Sequence, residues 1–236
     1  MENRAYYDEF ATRYEHQRGR GYHALLDDLE VDLVHRYARG AKVLEAGCGT
    51  GLILSRLKPP AAEVTGIDLS AGMLRHAAKR GLQVVQSSIT ALPFADESFD
   101  LVCSFKVLAH IEAIREAIAE LSRVTRPGGH LILEFYNPWS LRYLVKKLKP
   151  ATAISATTTD EAVYTRYDTL STVERMLPPG HSVIDLRGIR ILTPFAQAWK
   201  LPAAARLLRA LEWHASDAPL LRRLGGFLVA VVEKKR

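Results

Sequence analysis

The residues with the clearest capacity for chemistry form a glycine-rich turn, Gly47-Cys48-Gly49-Thr50-Gly51, directly after the apolar run 42–46. Glycine allows sharp turns and lets the backbone approach a ligand without an intervening Cβ. Asp68 ends the next apolar run, about 20 residues after the turn begins, where a carboxylate can accept hydrogen bonds from both hydroxyls of a ribose. Glu45 adds a second negative charge that suits a positively charged ligand. This spacing predicts a nucleotide-type cofactor site.

The exact glycine spacing narrows the choice of cofactor. Leu52 stands where the dinucleotide fingerprint GxGxxG places its last glycine, so the turn follows the pattern GxGxG instead. This favours a cofactor without a pyrophosphate and disfavours a nucleotide-dependent dehydrogenase.

Four segments in the expected order carry a family resemblance: VLEAGCGTG at 43–51, VTGIDLSAGML at 64–74, ALPFADESFDLV at 91–102 and RVTRPGGHLIL at 123–133. Together they resemble the class I methyltransferases that use S-adenosylmethionine (SAM), and within them the small-molecule group of the ubiquinone and menaquinone C-methyltransferases (methyltransferase type 11). The resemblance covers about residues 40 to 136. It implies SAM as cofactor and transfer of its methyl group, and it leaves the acceptor undefined.

The resemblance also implies which residues bind the cofactor. Gly47 and Gly49 would lie against the methionine and ribose part of SAM, Asp68 would hold the ribose hydroxyls, and Leu69 and Met73 would pack beside the adenine. The full predicted set is Tyr6, Tyr14, Glu45, Gly47, Cys48, Gly49, Gly51, Asp68, Leu69, Met73, Ser88, Ile89 and Phe105. Two alternatives stay open: Tyr6 and Tyr14 could belong to a helix that packs on the sheet, and Cys48 could be a small packing residue.

Ser88 departs from the family pattern, which usually has an aspartate after the third strand. A serine hydroxyl can still accept a hydrogen bond from the adenine amino group, but without a charge. This departure keeps open a third interpretation, a SAM-binding protein without turnover.

The acceptor is expected beyond the carboxyl ends of strands 4 and 5, since ligands bind at that edge of such sheets. Methyl transfer is an in-line displacement that depends mainly on proximity and alignment, so it requires no fixed catalytic motif. His110 is the predicted general base or orienting group, because an imidazole can take a proton near neutral pH. It could instead pack at a helix start. Secondary candidates are Glu134, Tyr164, Arg166 and Tyr167.

Strand and helix patterns alternate along the chain and would position these residues. Strands are predicted at 42–46, 63–67, 83–86, 99–105, 131–136, 181–187 and 226–233, and helices at 6–16, 22–39, 52–57, 70–80 and 112–125, with Pro127-Gly128-Gly129 as a helix stop. The predicted fold is α/β: a Rossmann-like seven-stranded sheet with helices on both faces, an antiparallel C-terminal edge hairpin and helical cap inserts. We expect one domain over 1–236, with N-terminal helices at 1–39, the SAM-binding core at 40–136, cap inserts within 137–224 and the final strand at 225–236.

Composition excludes several classes of protein. With 48% hydrophobic and 25% charged residues, the chain resembles an ordinary globular protein. It has no apolar run long enough to span a bilayer and no secretory signal pattern, which predicts a cytoplasmic location. Its two cysteines predict neither a disulfide framework nor a metal site.

The net charge of +6 raises the question of an acidic partner. Lys and Arg are spread along the chain and form no single basic patch. Asn137-Pro138-Trp139 invites comparison with the Asn/Asp-Pro-Pro-aromatic motif of the methyltransferases that modify amino groups of nucleobases, but it lacks the second proline. An RNA methyltransferase is therefore the alternative, and no nucleic-acid partner is expected. The basic amphipathic stretches 139–149 and 202–213 fit either helices that cover the core or peripheral contact with an anionic membrane. The expected acceptor is a small or lipid-like molecule, and the oligomeric state is left open.

Overall fold

A seven-stranded sheet forms the centre of the computed structural model, which describes residues 21–148, 164–193 and 202–236. Its strands are β1 (Lys42–Ala46), β2 (Glu63–Asp68), β3 (Gln83–Gln86), β4 (Phe99–Ser104), β5 (Thr125–Tyr136), β6 (His181–Ile189) and β7 (Phe227–Lys234). They lie in the order β3-β2-β1-β4-β5-β7-β6. The first five are parallel, and β7 pairs antiparallel with both β5 and β6. The predicted sheet and its antiparallel edge are confirmed.

Helices cover both faces of this sheet, as predicted. In the described ranges they are α1 (Gly21–Tyr37), α2 (Ala71–Lys79), α3 (Ile114–Val124), α4 (Leu141–Leu148), α5 (Leu170–Met176) and α6 (Pro202–Asp217), with 3-10 turns at Leu54–Arg56, Leu108–His110 and Leu221–Leu224. Neighbouring strand residues point to opposite faces. Val43 thus joins the core under α1, whereas Leu44 joins the core under α3.

The parallel strands bring the predicted site residues to one edge. The segments that follow β1, β2, β4 and β5 all emerge at the carboxyl edge of the sheet: Gly47, Phe105 and Asn137 begin three of them, and Asp68 is the last residue of β2. Topology, more than any single contact, therefore places the glycine turn beside the segments expected to bind the acceptor.

Two details of the predicted elements are wrong. The expected helix at 52–57 is a short 3-10 turn, Leu54–Arg56. Two prolines follow Lys58, and the residue before a proline disfavours the α-helical conformation, so the helix does not continue. The segment Pro127-Gly128-Gly129 does not stop the preceding helix: that helix ends at Val124, and the three residues lie inside β5. The pairing of β4 with β5 shifts register there, an irregularity that accommodates a proline within a strand.

The helix predicted at 6–16 lies outside the described residues, as do parts of the segment expected to form the cap. Within the described ranges no helix is long and apolar enough to cross a membrane.

Candidate functional site

Hydrogen bonds to β2 hold the glycine turn at the end of β1. The amides of Gly47 and Cys48 both donate to the Ile67 carbonyl, at 2.7 and 2.9 Å. Gly47, Gly49 and Gly51 have φ values of +81°, +55° and +79°, a backbone region that other residues rarely adopt. The sequence needs glycine at these positions because the chain reverses direction between a strand and a short turn.

Asp68 connects this turn to the start of α2. One carboxylate oxygen accepts from the Gly49 amide and the other accepts from the Ser70 amide, both at 2.9 Å. Ser70 in turn caps α2, because its hydroxyl accepts from the Met73 amide at 3.1 Å, which confirms the predicted N-cap. Each carboxylate oxygen has a second lone pair for a ligand hydroxyl. The turn, the carboxylate and the helix start therefore form one rigid cradle.

The glycines of the turn face different surroundings. A Cβ at Gly49 would meet no atom within 4 Å, so this residue borders open space beside Asp68. A Cβ at Gly47 would collide with Val107, and one at Gly51 would collide with Leu82. Gly49 borders the space available to a ligand, whereas Gly51 allows close packing against α2 and β3.

Cys48 points into the core. Gly66 on β2 leaves the space for it, since a Cβ there would lie 2.6 Å from the Cys48 sulfur. Burial, the largest cause, together with the charges of Glu45 and Asp68, raises the pKa of the thiol well above its usual range. The side chain is a packing group, as one of the two sequence interpretations had it.

The residues predicted to surround the adenine lie beside Asp68. Leu69 is 45% exposed and Met73 is buried. The Ser87 amide donates to the Asp68 carbonyl at 3.1 Å and brings the end of β3 to the cradle. The hydroxyl of Ser88 lies 2.8 Å from that of Thr90, inside its own turn, and Ile89 is buried.

Glu45 and Glu134, both named from the sequence, belong to a buried acidic cluster whose other acidic residues were not predicted from the sequence. It consists of Asp27 and Glu30 on α1, Glu45 on β1 and Glu134 on β5, all at most 4% exposed. Lys106 joins it: its ammonium donates to Glu30 at 2.6 Å and to Asp27 at 3.1 Å, and its amide donates to Glu134 at 3.1 Å. We call these five residues the acidic cluster. The ammonium thus pairs with two of the four buried carboxyl groups, and the backbone of the same lysine binds a third.

Burial controls the charge of the acidic cluster. It raises the pKa of both Glu30 and Glu45 well above 4.5, the usual value, and the charge of Lys106 opposes this in each case. Among the described residues, Glu45 Oε2 is buried without a hydrogen-bond partner. A ligand that brings positive charge would stabilise the ionised carboxylates. These carboxyl groups therefore fit a cofactor with an ammonium and a sulfonium.

His110 lies on the acceptor side of the carboxyl edge, in the 3-10 turn after β4. Its Nδ1 is 2.9 Å from the Tyr164 carbonyl oxygen, and its Nε2 is 3.4 Å from the Tyr136 hydroxyl. A carbonyl only accepts, so Nδ1 carries the proton and Nε2 keeps its lone pair. Burial, the largest cause, lowers the pKa of His110 below 6.5. The ring is therefore a neutral base at neutral pH.

Aromatic rings and bound arginines surround this histidine. The Tyr136 ring packs edge-on against His110, with 5.6 Å between ring centroids, and it also contacts Tyr167 and Phe227. Tyr164 approaches His110 through its carbonyl, and its side chain is exposed. Arg166 forms a bidentate pair with Asp168 at 2.7 and 2.8 Å, which assigns it a structural role.

The remaining predicted residues divide as follows. Phe105 is buried in the core under α1, and Glu134 belongs to the acidic cluster. Tyr6 and Tyr14 lie outside the described residues. Among the described residues no group of three or more His, Cys, Asp or Glu is placed to hold a metal ion.

Part of the chain is similar to known methyltransferases. Residues 44–133 match the family described as Methyltransferase domain. A 95-residue stretch is 42% identical to the malonyl-[acyl-carrier protein] O-methyltransferase of Enterobacter lignolyticus and covers 39% of this chain and 38% of that protein. A 133-residue stretch is 35% identical to the demethylmenaquinone methyltransferase of Mycobacterium sp. (strain JLS) and covers 53% and 58%. The matched part thus spans less than two thirds of each relative.

Solved structures show the fold over the whole chain. A SAM-dependent methyltransferase from Thermotoga maritima aligns with a TM-score of 0.68 at 19% identity, and the alignment covers 97% of this chain and 98% of that one. Residues 44–133 are therefore similar to a methyltransferase domain, and the chain shares its fold with the SAM-dependent methyltransferase from Thermotoga maritima.

Proposed function

We propose that this chain is an enzyme that transfers a methyl group from SAM to a small-molecule or lipid-like acceptor. The observation that carries the proposal is the cradle in which Asp68 joins the Gly49 amide to the Ser70 amide, next to the acidic cluster. Bound SAM would supply a methyl group activated by its sulfonium, and the sulfur would be left as a neutral thioether after transfer.

The chain's own residues have separate tasks in this proposal. Asp68 accepts from the ribose hydroxyls, and Gly49 leaves room for the ligand beside it. The acidic cluster stabilises the positive charge of the cofactor. His110 Nε2 takes the proton of a hydroxyl, enol or amine acceptor, and otherwise proximity supplies most of the rate.

The relatives do not define the acceptor, since one is named for a malonyl-carrier protein and another for demethylmenaquinone. The shared residues 44–133 hold the cofactor half of the site, whereas the acceptor side uses Tyr136 and the segments after it.

Calorimetric titration tests the cofactor site. SAM and its demethylated product S-adenosylhomocysteine should bind the purified chain, and Asp68→Ala should nearly abolish binding of both. Glu63→Ala at the opposite end of β2 is the matched control, because this glutamate is exposed and makes a long ion pair with Lys42 at 3.8 Å. Equal affinity of the wild type and Asp68→Ala would refute the site assignment.

Transfer itself is tested with methyl-labelled SAM and fractionated host extracts. Label in a small-molecule or lipid fraction supports the proposal. Label in RNA would favour the nucleic-acid alternative, and cofactor binding with no label in any fraction would favour a binding protein without turnover.

A cytoplasmic location and peripheral contact with an anionic membrane complete the proposal. Several large apolar side chains are exposed near the acceptor side, namely Trp139 at 73%, Leu144 at 55% and Leu220 at 82%. The Asn137 side chain donates to the carbonyls of Arg223 and Gly225. These bonds join the segment that carries Trp139 to the segment that carries Leu220. Basic residues on α4 would face anionic headgroups. The wild type should sediment together with anionic vesicles, whereas Trp139→Ala should stay in the supernatant. Equal sedimentation of the wild type with neutral vesicles would contradict the proposed contact between basic residues and anionic headgroups.

A further inference from the structure

Arg142, on the first turn of α4, lies across two aromatic rings at the acceptor side. Its guanidinium carbon is 4.8 Å from the centroid of the Tyr136 ring and 4.9 Å from that of Phe227. Stacking on aromatic faces holds a guanidinium in place while its N–H groups stay directed outward. The stack fixes the orientation of Arg142 on the ring that also reaches His110.

Arg142 differs from the other arginines near the site. Arg166 is held by Asp168, and Arg187 by Asp32 and Asp217. Within residues 21–148, 164–193 and 202–236, no hydrogen bond joins the Arg142 guanidinium to a carboxylate. The cation is oriented but not neutralised by the described part of the chain.

The surroundings of Arg142 are also positive. After burial, the charge of Arg142 contributes to the lowered pKa of both His110 and Arg190, and Lys146 acts on His110 in the same direction. Arg190 itself stacks on Tyr22 at 5.1 Å. The acceptor side therefore concentrates positive charge, whereas the cofactor side contains the acidic cluster.

We propose that Arg142 binds a carboxylate of the methyl acceptor and so selects acidic acceptors over neutral ones. The planar guanidinium matches a carboxylate in a bidentate pair. Tyr136 lies between this cation and His110, with its ring under Arg142 and its hydroxyl 3.4 Å from His110 Nε2. An acceptor held by Arg142 thus lies beside the proposed base. The inference rests on the proposed function, because it concerns the acceptor of that reaction.

Matched acid and amide probes test this inference on the full chain loaded with S-adenosylhomocysteine. The pairs are 4-hydroxybenzoate with 4-hydroxybenzamide and octanoate with octanamide, titrated by calorimetry. In the wild type at least one acid should bind about tenfold more tightly than its amide, as expected for a charge-assisted pair. Arg142→Gln should reduce that ratio to about one, and Arg142→Lys, which keeps the charge without the fork, should give an intermediate ratio.

Arg206→Gln is the control, since this arginine on α6 is exposed, and it should keep the wild-type ratio. Equal binding of acids and amides by the wild type, a ratio that survives in Arg142→Gln, or no binding of either acid would each overturn the inference. S-adenosylhomocysteine is titrated separately. If S-adenosylhomocysteine does not bind the wild type, the proposed function is refuted. The ratio of acid to amide affinity, measured in the absence of S-adenosylhomocysteine, then still decides the role of Arg142.

Discussion

His110 gains its chemical role from two neighbours and from burial. The Tyr164 carbonyl fixes the proton on Nδ1, and burial lowers the pKa of the ring, so the lone pair on Nε2 is available at neutral pH. The Tyr136 hydroxyl lies 3.4 Å from that nitrogen. This arrangement supports the proposed role of His110 as a base, in which the hydroxyl or amine of the acceptor would replace the Tyr136 hydroxyl at Nε2.

His110→Ala should lower kcat by about 10² or more, because it removes a positioned base. Affinity for S-adenosylhomocysteine should stay within a few fold of the wild type, since His110 lies on the acceptor side. Steady-state kinetics and calorimetry measure the two quantities. A parallel loss of cofactor affinity, or an unchanged rate, would show that the imidazole is structural or idle.

The pH dependence of kcat/KM gives an independent check on His110. A lowered pKa means that the ring protonates only as the pH falls below 6.5, its usual value. The neutral base should therefore persist above that pH, and the acid limb of the profile should lie below it. This limb should disappear from the residual activity of His110→Ala. A limb centred above 6.5, or one that persists in the variant, would assign it to another group.

The sequence predicted some site residues and missed others for physical reasons. Asp68 was predicted because it ends the strand after the glycine turn at a spacing of about 20 residues, and the structure joins it to Gly49 of that turn. Asp27 and Glu30 are buried because Lys106 reaches them from a loop 76 or more residues away. Helical periodicity does not reveal such a partner. The tautomer of His110 likewise depends on a distant carbonyl.

At the scale of elements, short apolar runs predicted both the central strand β1, which is largely buried, and the edge strand β3, which is not. The bounds of β1 and β3 agree with the prediction. The errors fall where tertiary contacts override local signals: β5 begins at Thr125, six residues before its predicted start, because Thr125 pairs with Phe99 ahead of the irregular segment that contains the proline and glycines. The helix predicted at 6–16 stays a prediction.

Gly51 in the glycine turn and Gly81 just after α2 allow a matched test of element packing. Gly51 and Gly81 both have positive φ, at +79° and +74°, but a Cβ meets Leu82 and Ala77 only at Gly51. Gly81→Ala should cost about 1 kcal/mol of unfolding free energy from backbone strain alone. Gly51→Ala should cost more, because a clash adds to the strain. Urea denaturation compares them; equal losses would show that the turn relaxes freely.

At the scale of the whole molecule, Arg187 joins the antiparallel edge of the sheet to two helices. It is fully buried on β6, and it donates to the Leu29 carbonyl and to Asp32 from α1, both at 2.7 Å. It also donates to Asp217 at the end of α6, at 2.6 and 2.9 Å. The segments before and after the methyltransferase domain are thereby held to the same sheet edge.

Arg187→Met should lower the free energy of unfolding by about 2 kcal/mol, since it leaves the Leu29 carbonyl without its donor, whereas the partly exposed carboxylates of Asp32 and Asp217 stay paired with Arg36. Chemical denaturation measures the loss, and Arg206→Met on the exposed face of α6 should change stability little. A loss below about 1 kcal/mol would mean that water replaces the guanidinium, as at a surface ion pair.

Charge divides the molecule into an acidic cofactor side and a basic acceptor side. The raised pKa values of Glu30 and Glu45 mean that these carboxyls bind protons more tightly in the folded chain than in the unfolded one. Stability from this source is present at low pH and is lost as the pH rises through the raised pKa values. A positive ligand beside them reverses the preference, because it favours the ionised carboxylates.

Cofactor binding should therefore release protons, and SAM should release more than S-adenosylhomocysteine, because only SAM carries the sulfonium charge. Calorimetry in buffers of different ionisation enthalpy, between about pH 5 and about pH 8, counts these protons. Glu45→Gln should reduce the difference between the two ligands, because the amide cannot ionise, whereas the surface variant Glu63→Gln should preserve it. Equal proton release by both ligands in the wild type would mean that the acidic cluster does not respond to the sulfonium, and that the cofactor is held mainly through the Asp68 cradle.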